Sequence, residues 1–487
     1  MATLTIEQNT TTQTLSFTAP APLSVLLENA GFHGMQPCGG RGVCGKCTVT
    51  LSGLVSPPND AETRAGVRLA CQAQILGDAH VILSEQRKME QIQIGISHVQ
   101  RGIPMDGNWG AVVDIGTTTM VLQVFNLADG TLVGQAAKQN PQASVAADVM
   151  GRIGAAMNGQ LQKLSIQVQD AIADLLDEAC GGLSAKVDLL VITGNTTMLY
   201  LLTQTDPSCL SHAPFLADTL FDTYTSVLGR RAYLPACMNA FVGADITCAV
   251  LASGISESNH TALLCDVGTN GEIALWKDGI LRVTSTAAGP AFEGAGISCG
   301  CGSIRGAIDR VWVQDGTLAV HTIGDAPAVG ICGSGLIDAI AALLELGILD
   351  ETGALEDDEV HLSNGVTLLQ RDIRAVQLAK AAIAAGIETL LEQSGVICQE
   401  IETFCIAGGF GSHLNIARAV AIGLFPGQLQ KNVQVLGNAA LTGAAQLMLN
   451  KTLLAKSQEL AASSVHCNLG GNPTFNNHYM EQMLFPI

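Results

Sequence analysis

The sequence predicts an α/β protein in which a small β-rich unit precedes a larger, internally duplicated α/β unit. Three observations carry this. Four of the 15 cysteines fall between Cys38 and Cys71, within a stretch whose apolar and polar residues alternate as half-buried strands do. From residue 110 onward, short β-branched runs end in Gly/Thr/Asn turns and alternate with helical stretches, the pattern of strand–turn–helix units. Two of those runs also match each other. Ala111-Val-Val-Asp114-Ile-Gly116-Thr117-Thr118 and Leu263-Leu-Cys-Asp266-Val-Gly268-Thr269-Asn270 share one plan, with their aspartates 152 positions apart. A spacing that long is a duplicated domain rather than a short solenoid repeat.

Composition bounds the rest. The chain has 487 residues, 48% hydrophobic and 14% charged, enough apolar material for large cores and too much for disorder. Length alone suggests about three domains. Acidic residues outnumber basic ones 43 to 24, for a net charge of −19. That balance argues against nucleic acid or an anionic membrane as the main partner. The most apolar stretch, 339–349, contains Glu345 and falls short of the ~20 residues a membrane span needs. The first residues lack the basic and apolar regions of a signal peptide. A cytoplasmic, reducing location is expected, so the cysteines read as metal ligands or buried thiols rather than disulfides.

In chain order, residues 1–85 form the first unit. Residues 4–8 and 14–19 read as paired strands, 22–31 as a short helix closed by Gly31, and 47–53 and 79–85 as further strands. Residues 86–109, rich in charge, Gly and Pro, read as a linker. Residues 110–255 and 256–487 read as the two duplicated lobes. Their strands run into turns at 111–119, 189–197, 262–275 and 404–412, with helices at 165–180 and 376–393.

Cys38, Cys44, Cys47 and Cys71 have the spacing C-x5-C-x2-C-x23-C. Three thiolates on one Gly-rich loop can wrap a small cluster, and a fourth arrives from a distant strand. The spacing resembles that of [2Fe–2S] ferredoxins, with one residue more in the first gap. The alternative is structural zinc, which usually takes two short paired knuckles; Cys71 has no nearby partner in sequence. Cys299, Cys301 and Cys332 read as small buried thiols, the lone Cys467 cannot hold a second cluster, and His33 reads as a turn cap.

Asp114 and Asp266 each end a strand ahead of a Gly-Thr turn. The carboxylates are candidates for Mg²⁺ and the attacking water. Gly116 and Gly268 let backbone approach phosphate, and Thr117, Thr118, Thr269 and Asn270 can contact its oxygens. Gly408, Gly409 and Gly411 follow another strand and can cradle an adenosine. Glu293, in a Gly-rich segment, either lines this pocket or makes a surface ion pair.

On these motifs, residues 110–487 resemble the actin, sugar-kinase and Hsp70 ATPase superfamily, which implies two ribonuclease-H-like lobes. Residues 114–118 and 266–271 match its phosphate loops and 407–411 its adenosine loop. Residues 194–197 (Gly194, Asn195, Thr196, Thr197) and 437–443 match its connecting elements, which implies that Gly194, Asn195 and Thr196 take part in nucleotide binding. There is no GxxxxGK[ST] P-loop. The whole chain resembles, more narrowly, the ATP-dependent reductive activators of corrinoid proteins. Matching stretches are 140–153, 194–202, 288–300, 330–340, 407–426 and 472–486. The resemblance implies a β-grasp [2Fe–2S] ferredoxin domain ahead of the ATPase, MgATP, a corrinoid-protein partner in a methyltransferase system and a low-potential electron donor. The implied reaction returns inactive Co(II) to Co(I). Two departures stand out: the extra domain of longer relatives is replaced by about 25 linker residues, and there is no C-terminal [4Fe–4S] cysteine set. The alternatives are a small-molecule kinase or ATPase with a redox-sensing domain, and an activator of another low-potential metalloenzyme, such as a radical dehydratase.

Overall fold

In Ala2–Gln8 (β1) every second residue turns inward, so Ala2, Leu4 and Ile6 are buried while the threonines between them are not. The computed structural model describes residues 2–8, 11–32, 47–59, 62–63, 67–83, 101–363, 365–409 and 414–486. β1 pairs antiparallel with Thr11–Phe17 (β2) and parallel with Gln74–Leu83 (β6). Ala21–Pro22 (β3) and Thr48–Val55 (β4) both pair antiparallel with β6, and Arg68–Leu69 (β5) adds to β4. The sheet order is β2-β1-β6-β4-β5. The helix Leu23–Asn29 lays Leu23, Leu26 and Leu27 on one face of it, against Leu4, Ile6, Ile75 and Val81. A mixed sheet grasping one helix is the β-grasp arrangement.

Residues 101–108 run along the larger α/β unit. The carbonyls of Leu449 and Met448 accept the N–H groups of Gly102 and Met105, and Lys451 N–H donates to the Ile103 carbonyl. Met105 is buried there.

Two sheets of the same plan follow. In the first lobe, Trp109–Ile115 (β7), Thr119–Asn126 (β8) and Thr131–Gln139 (β9) form an antiparallel meander. Val187–Gly194 (β10) adds parallel to β7 and Arg230–Leu234 (β12) parallel to β10, with Thr223–Val227 (β11) at the edge. In the second lobe, Ala262–Val267 (β13), Gly271–Lys277 (β14) and Ile280–Thr286 (β15) repeat the meander. Further along the chain, Ala307–Gln314 (β16), Thr317–Thr322 (β17) and Gly330–Ile331 (β18) form a small separate sheet, and Glu359–Ser363 (β19) with Val366–Leu369 (β20) a hairpin. Thr403–Ala407 (β21) then adds parallel to β13 and Val433–Gly437 (β22) parallel to β21, with Val465–His466 (β23) at the far edge. The core orders β12-β10-β7-β8-β9 and β22-β21-β13-β14-β15 are therefore equivalent. The duplication read from the two Asp-Gly-Thr motifs is a duplication of topology.

Each central strand is buried on both faces. Ala111, Val113 and Ile115 face an outer core built on the helix Leu161–Cys180, while Val112 faces a core shared by the two lobes. Leu263, Cys265 and Val267 likewise face the outer core of the helix Gln370–Gln393, and Leu264 faces the shared one. The shared core is closed by the helices Ala244–Ser253 and Ala439–Leu449. They meet at Gly443, where a Cβ would come within 1.9 Å of the Cys248 carbonyl oxygen. Only glycine allows that crossing.

Candidate nucleotide and iron–sulfur sites

Strand alternation aims the two aspartates. Asp114 continues the Val112 face of β7, and Asp266 the Leu264 face of β13, so both point to the cleft between the lobes. The turn after each strand closes on itself: Gly116 N–H donates to the Thr119 carbonyl and Gly268 N–H to that of Asn270, both at 3.0 Å. The turns meet across the cleft, with the hydroxyls of Thr118 and Thr269 3.3 Å apart. Both hydroxyls donate to the same oxygen of Glu293, Thr269 at 2.8 Å. Of the two readings open for Glu293, lining the cleft is the one observed.

Neighbouring residues hold the turns rigid. Asn140 donates to the Gly116 carbonyl at 2.8 Å and receives nothing less than a full cap role, accepting Gln142 N–H at 3.0 Å. The Arg152 side chain is fully buried and gives hydrogen bonds to the Thr117 carbonyl (2.5 Å), Ala146 carbonyl (3.0 Å) and Gln142 amide oxygen (3.2 Å). Burial pulls its guanidinium down to about 10, still charged, with Asp148 and Glu293 opposing that pull. A positive charge thus backs the first turn. Asn195 caps the helix Thr196–Leu202 and donates weakly to the Thr117 hydroxyl at 3.4 Å. Thr196 gives its hydroxyl proton to the Asn239 carbonyl at 2.6 Å, so it braces the loop.

Gly194, the last residue of β10, and Gly408, directly beyond β21, occupy equivalent places on the strands that flank the aspartate-bearing ones. Gly408 has φ +101°, and a Cβ there would lie 2.5 Å from the Val267 carbonyl oxygen and 2.9 Å from an Asp266 carboxylate oxygen. Nothing stands within 4 Å of the Cβ position of Gly409. The helix beyond begins at Ile416, capped by Asn415. Gly411 lies outside the described residues.

Asn438, from the 437–443 stretch, joins the cleft together with two residues not singled out from the sequence, Asp245 and Glu272. Asn438 donates to Asp114 at 2.8 Å. Asp245 sits in the first turn of the helix Ala244–Ser253 and is close enough to sense both Asp114 and Asp266, as Glu272 senses Asp245 and Asp266. Gly243 leads into the helix bearing Asp245 as Gly437 leads into the helix Ala439–Leu449, so the duplication signals the helix, whereas the carboxylate has no counterpart at Ala439. Asp114, Asp245 and Asp266 are partly buried and Glu272 is buried. Burial raises Asp114 to about 6, partly offset by the Asn438 bond. Burial, then the charges of Asp114 and Glu293, raises Asp266 to about 7. Burial and mutual repulsion raise Asp245 and Glu272 as well. A divalent cation is the natural relief for such a field.

That field has a sign. Carboxylates raised in the folded state stabilise it below their ordinary value of 3.8 and lose that contribution as pH rises through about 6 and 7. Mg²⁺ offsets the loss only when they are ionised. The rise in melting temperature on adding Mg²⁺ is therefore expected to be larger at about pH 8 than at about pH 5. An equal rise at both would mean the carboxylates do not share one cation.

The chain compares with known proteins along its whole length. A model of a 2Fe–2S iron–sulfur cluster binding domain matches residues 6–76. Models of the RACo middle region and of the C-terminal ASKHA domain of RACo match 109–258 and 260–487. The corrinoid activation enzyme RamQ of Eubacterium limosum is 32% identical over 421 residues, covering 77% of this chain and 70% of its own. The chain belongs to the RACo family. The solved structure of a reductive activator for corrinoid,iron-sulfur protein is similar to it over 100% of this chain and 98% of that one, at 25% identity and a TM-score of 0.73. The [Co(II) methylated amine-specific corrinoid protein] reductase of Methanosarcina barkeri is 28% identical over 344 residues, 62% of this chain and 63% of its own.

As a RACo-family member, the chain carries a [2Fe–2S]-binding domain and an actin/sugar-kinase/Hsp70-type domain for MgATP. Of the four cysteines, Cys38 and Cys44 lie outside the described residues, as does His33. Cys47 is buried at the start of β4, and its carbonyl accepts Ala70 N–H at 2.8 Å. The pairing Thr48↔Leu69 brings Cys71 to the same corner of the sheet. The Gln72 amide points at the Cys71 sulfur, 3.6 Å away. Two thiols distant in sequence, gathered at one corner with an N–H donor on sulfur, suit an anionic thiolate cluster. Among the described residues no group of three or more His, Cys, Asp or Glu side chains is placed to hold a metal ion, Cys299, Cys301 and Cys332 included. Nor is any described helix long and apolar enough to cross a membrane.

Proposed function

We propose that this chain uses MgATP to drive one electron from its iron–sulfur domain onto the Co(II) of a corrinoid protein, restoring Co(I). The observation that carries the reading is the union, in one chain, of an iron–sulfur-binding domain with a two-lobed ATPase fold whose phosphate loops meet at Thr118 and Thr269. Relatives with this organisation bear names that describe corrinoid activation.

The cluster, held by Cys38, Cys44, Cys47 and Cys71, would supply electrons one at a time near roughly −400 mV. Each ~59 mV uphill is a tenfold penalty for one electron, so Co(I) forms poorly without a second source of drive. The ATPase lobes supply it. Asp114 and Asp266 hold the Mg²⁺ and orient the attacking water. Gly116, Thr117, Thr118, Gly268, Thr269 and Asn270 bind phosphate oxygens; Gly408, Gly409 and Gly411 hold the adenosine. Gly194, Asn195 and Thr196 brace the first loop. Because the turns after Asp114 and Asp266 sit in different lobes, a nucleotide whose phosphates are bound by both turns favours a closed arrangement about the crossing at Gly443. A change of state of this kind can transmit the free energy of hydrolysis to a docked partner. An unidentified low-potential electron donor would resupply the cluster.

The test is conversion of Co(II) to Co(I) in a purified corrinoid protein, followed by absorbance, with reductant and MgATP supplied or withheld. Conversion is expected only with both. Equal conversion without ATP would overturn the reading.

A further inference from the structure

Three hydrogen bonds tie one short turn to both sides of the cleft. Gly289 N–H donates to the Thr269 carbonyl at 2.8 Å. The Thr269 hydroxyl donates to Glu293 Oε2 at 2.8 Å. From the opposite lobe, the Thr118 hydroxyl donates to that same oxygen. The turn, Pro290–Glu293, is bounded by Gly289 at φ +81° and Gly294 at φ +73°. Glycine takes these angles without strain. The second carboxylate oxygen overhangs the second phosphate loop: a Cβ on Gly268 would lie 3.7 Å from it.

Each threonine hydroxyl has one proton to give. A proton given to Glu293 is not available to a phosphate oxygen. Carboxylate and phosphate oxygens are both anionic acceptors, and they cannot share the point where the two hydroxyls converge. We propose that Glu293 is a positioning residue that competes with the terminal phosphate of ATP for Thr118 and Thr269, so that the nucleotide seats only when the Pro290–Glu293 turn releases both loops. The proposal rests on reading these two turns as phosphate loops. Because Thr118 and Glu293 belong to different lobes, the release also loosens a tie between the lobes. Nucleotide entry and lobe movement are then one event.

The apparent dissociation constant equals the intrinsic one divided by the released fraction. The test measures binding of a fluorescent, non-hydrolysable ATP analogue with Mg²⁺ to the full chain and to Glu293→Ala and Glu293→Asp. Alanine removes the competitor. Aspartate keeps the charge but, one methylene shorter, cannot hold both hydroxyls. Both variants are expected to bind at least about fivefold tighter, as removal of a latch closed in about 80% of molecules requires. The corresponding ADP analogue should gain less, because it lacks the competing phosphate. Unchanged or weaker binding by Glu293→Ala overturns the proposal. Tightening by alanine but not by aspartate also overturns it, since charge repulsion alone would then account for the effect. If the unaltered chain binds no nucleotide, the phosphate-loop reading fails and the latch falls with it. Binding by the unaltered chain with no gain in the variants sinks the latch alone.

Discussion

Replacing Asp266 with asparagine is expected to slow MgATP hydrolysis by about 100- to 1,000-fold, the range for removing one preorganised charge from a reacting centre. Asp266 stands at the end of β13 with its carboxylate against Gly408 and within the field of Asp114 and Glu293. The asparagine has nearly the same shape, so the loop keeps its fold and only the cation's charge partner is lost. The iron–sulfur absorbance should not change, because Cys47 and Cys71 lie beside a different sheet. Asp114→Asn should behave similarly, with an added cost because its new amide faces the Asn438 donor. Steady-state hydrolysis of ATP measured beside the absorbance spectrum checks both. Full activity in either variant would mean that the phosphates bind elsewhere.

Replacing Cys71 with serine should do the reverse: Co(I) formation lost, ATP hydrolysis kept within about twofold. Loss of a hydrogen-bond partner to a ligand costs roughly 10- to 100-fold in metal affinity, and loss of the ligand itself at least that. Two iron and two sulfide per chain are expected before the substitution and fewer after it. Cys47→Ser should have the larger effect on folding as well, since Cys47 is buried in the small core beside Leu69 and Val49. Iron and sulfide analysis together with cobalt absorbance separates these outcomes. Zinc without sulfide in the unaltered protein would end the cluster assignment, and undiminished Co(I) formation in Cys71→Ser would remove the cluster from the electron path.

The elements that periodicity predicts are close to those observed. The helices expected at 165–180 and 376–393 are Leu161–Cys180 and Gln370–Gln393, begun four and six residues earlier. The short strands Ala21–Pro22 and Arg68–Leu69 escaped notice because two residues show no alternation. Residues 101–108, linker-like in composition, instead hydrogen-bond to backbone at the end of the helix Ala439–Leu449. Backbone pairing of this kind is indifferent to side-chain pattern.

By itself the sequence determined the class of chemistry. Cysteine spacing, the two Asp-Gly-Thr turns and their separation are local or repeated features, and local features survive in a one-dimensional reading. The company those turns keep was decided only by tertiary structure. Thr118 meets Glu293 across 175 positions and Asn438 meets Asp114 across 324. Asp245 and Glu272 join the field of Asp114 and Asp266 through the stacking of two equivalent sheets about the crossing at Gly443. A glutamate in a Gly-rich segment looks the same in sequence whether it pairs with a surface lysine or holds the hydroxyls of two threonine-bearing turns. The difference lies in which hydroxyls the folded chain brings to it.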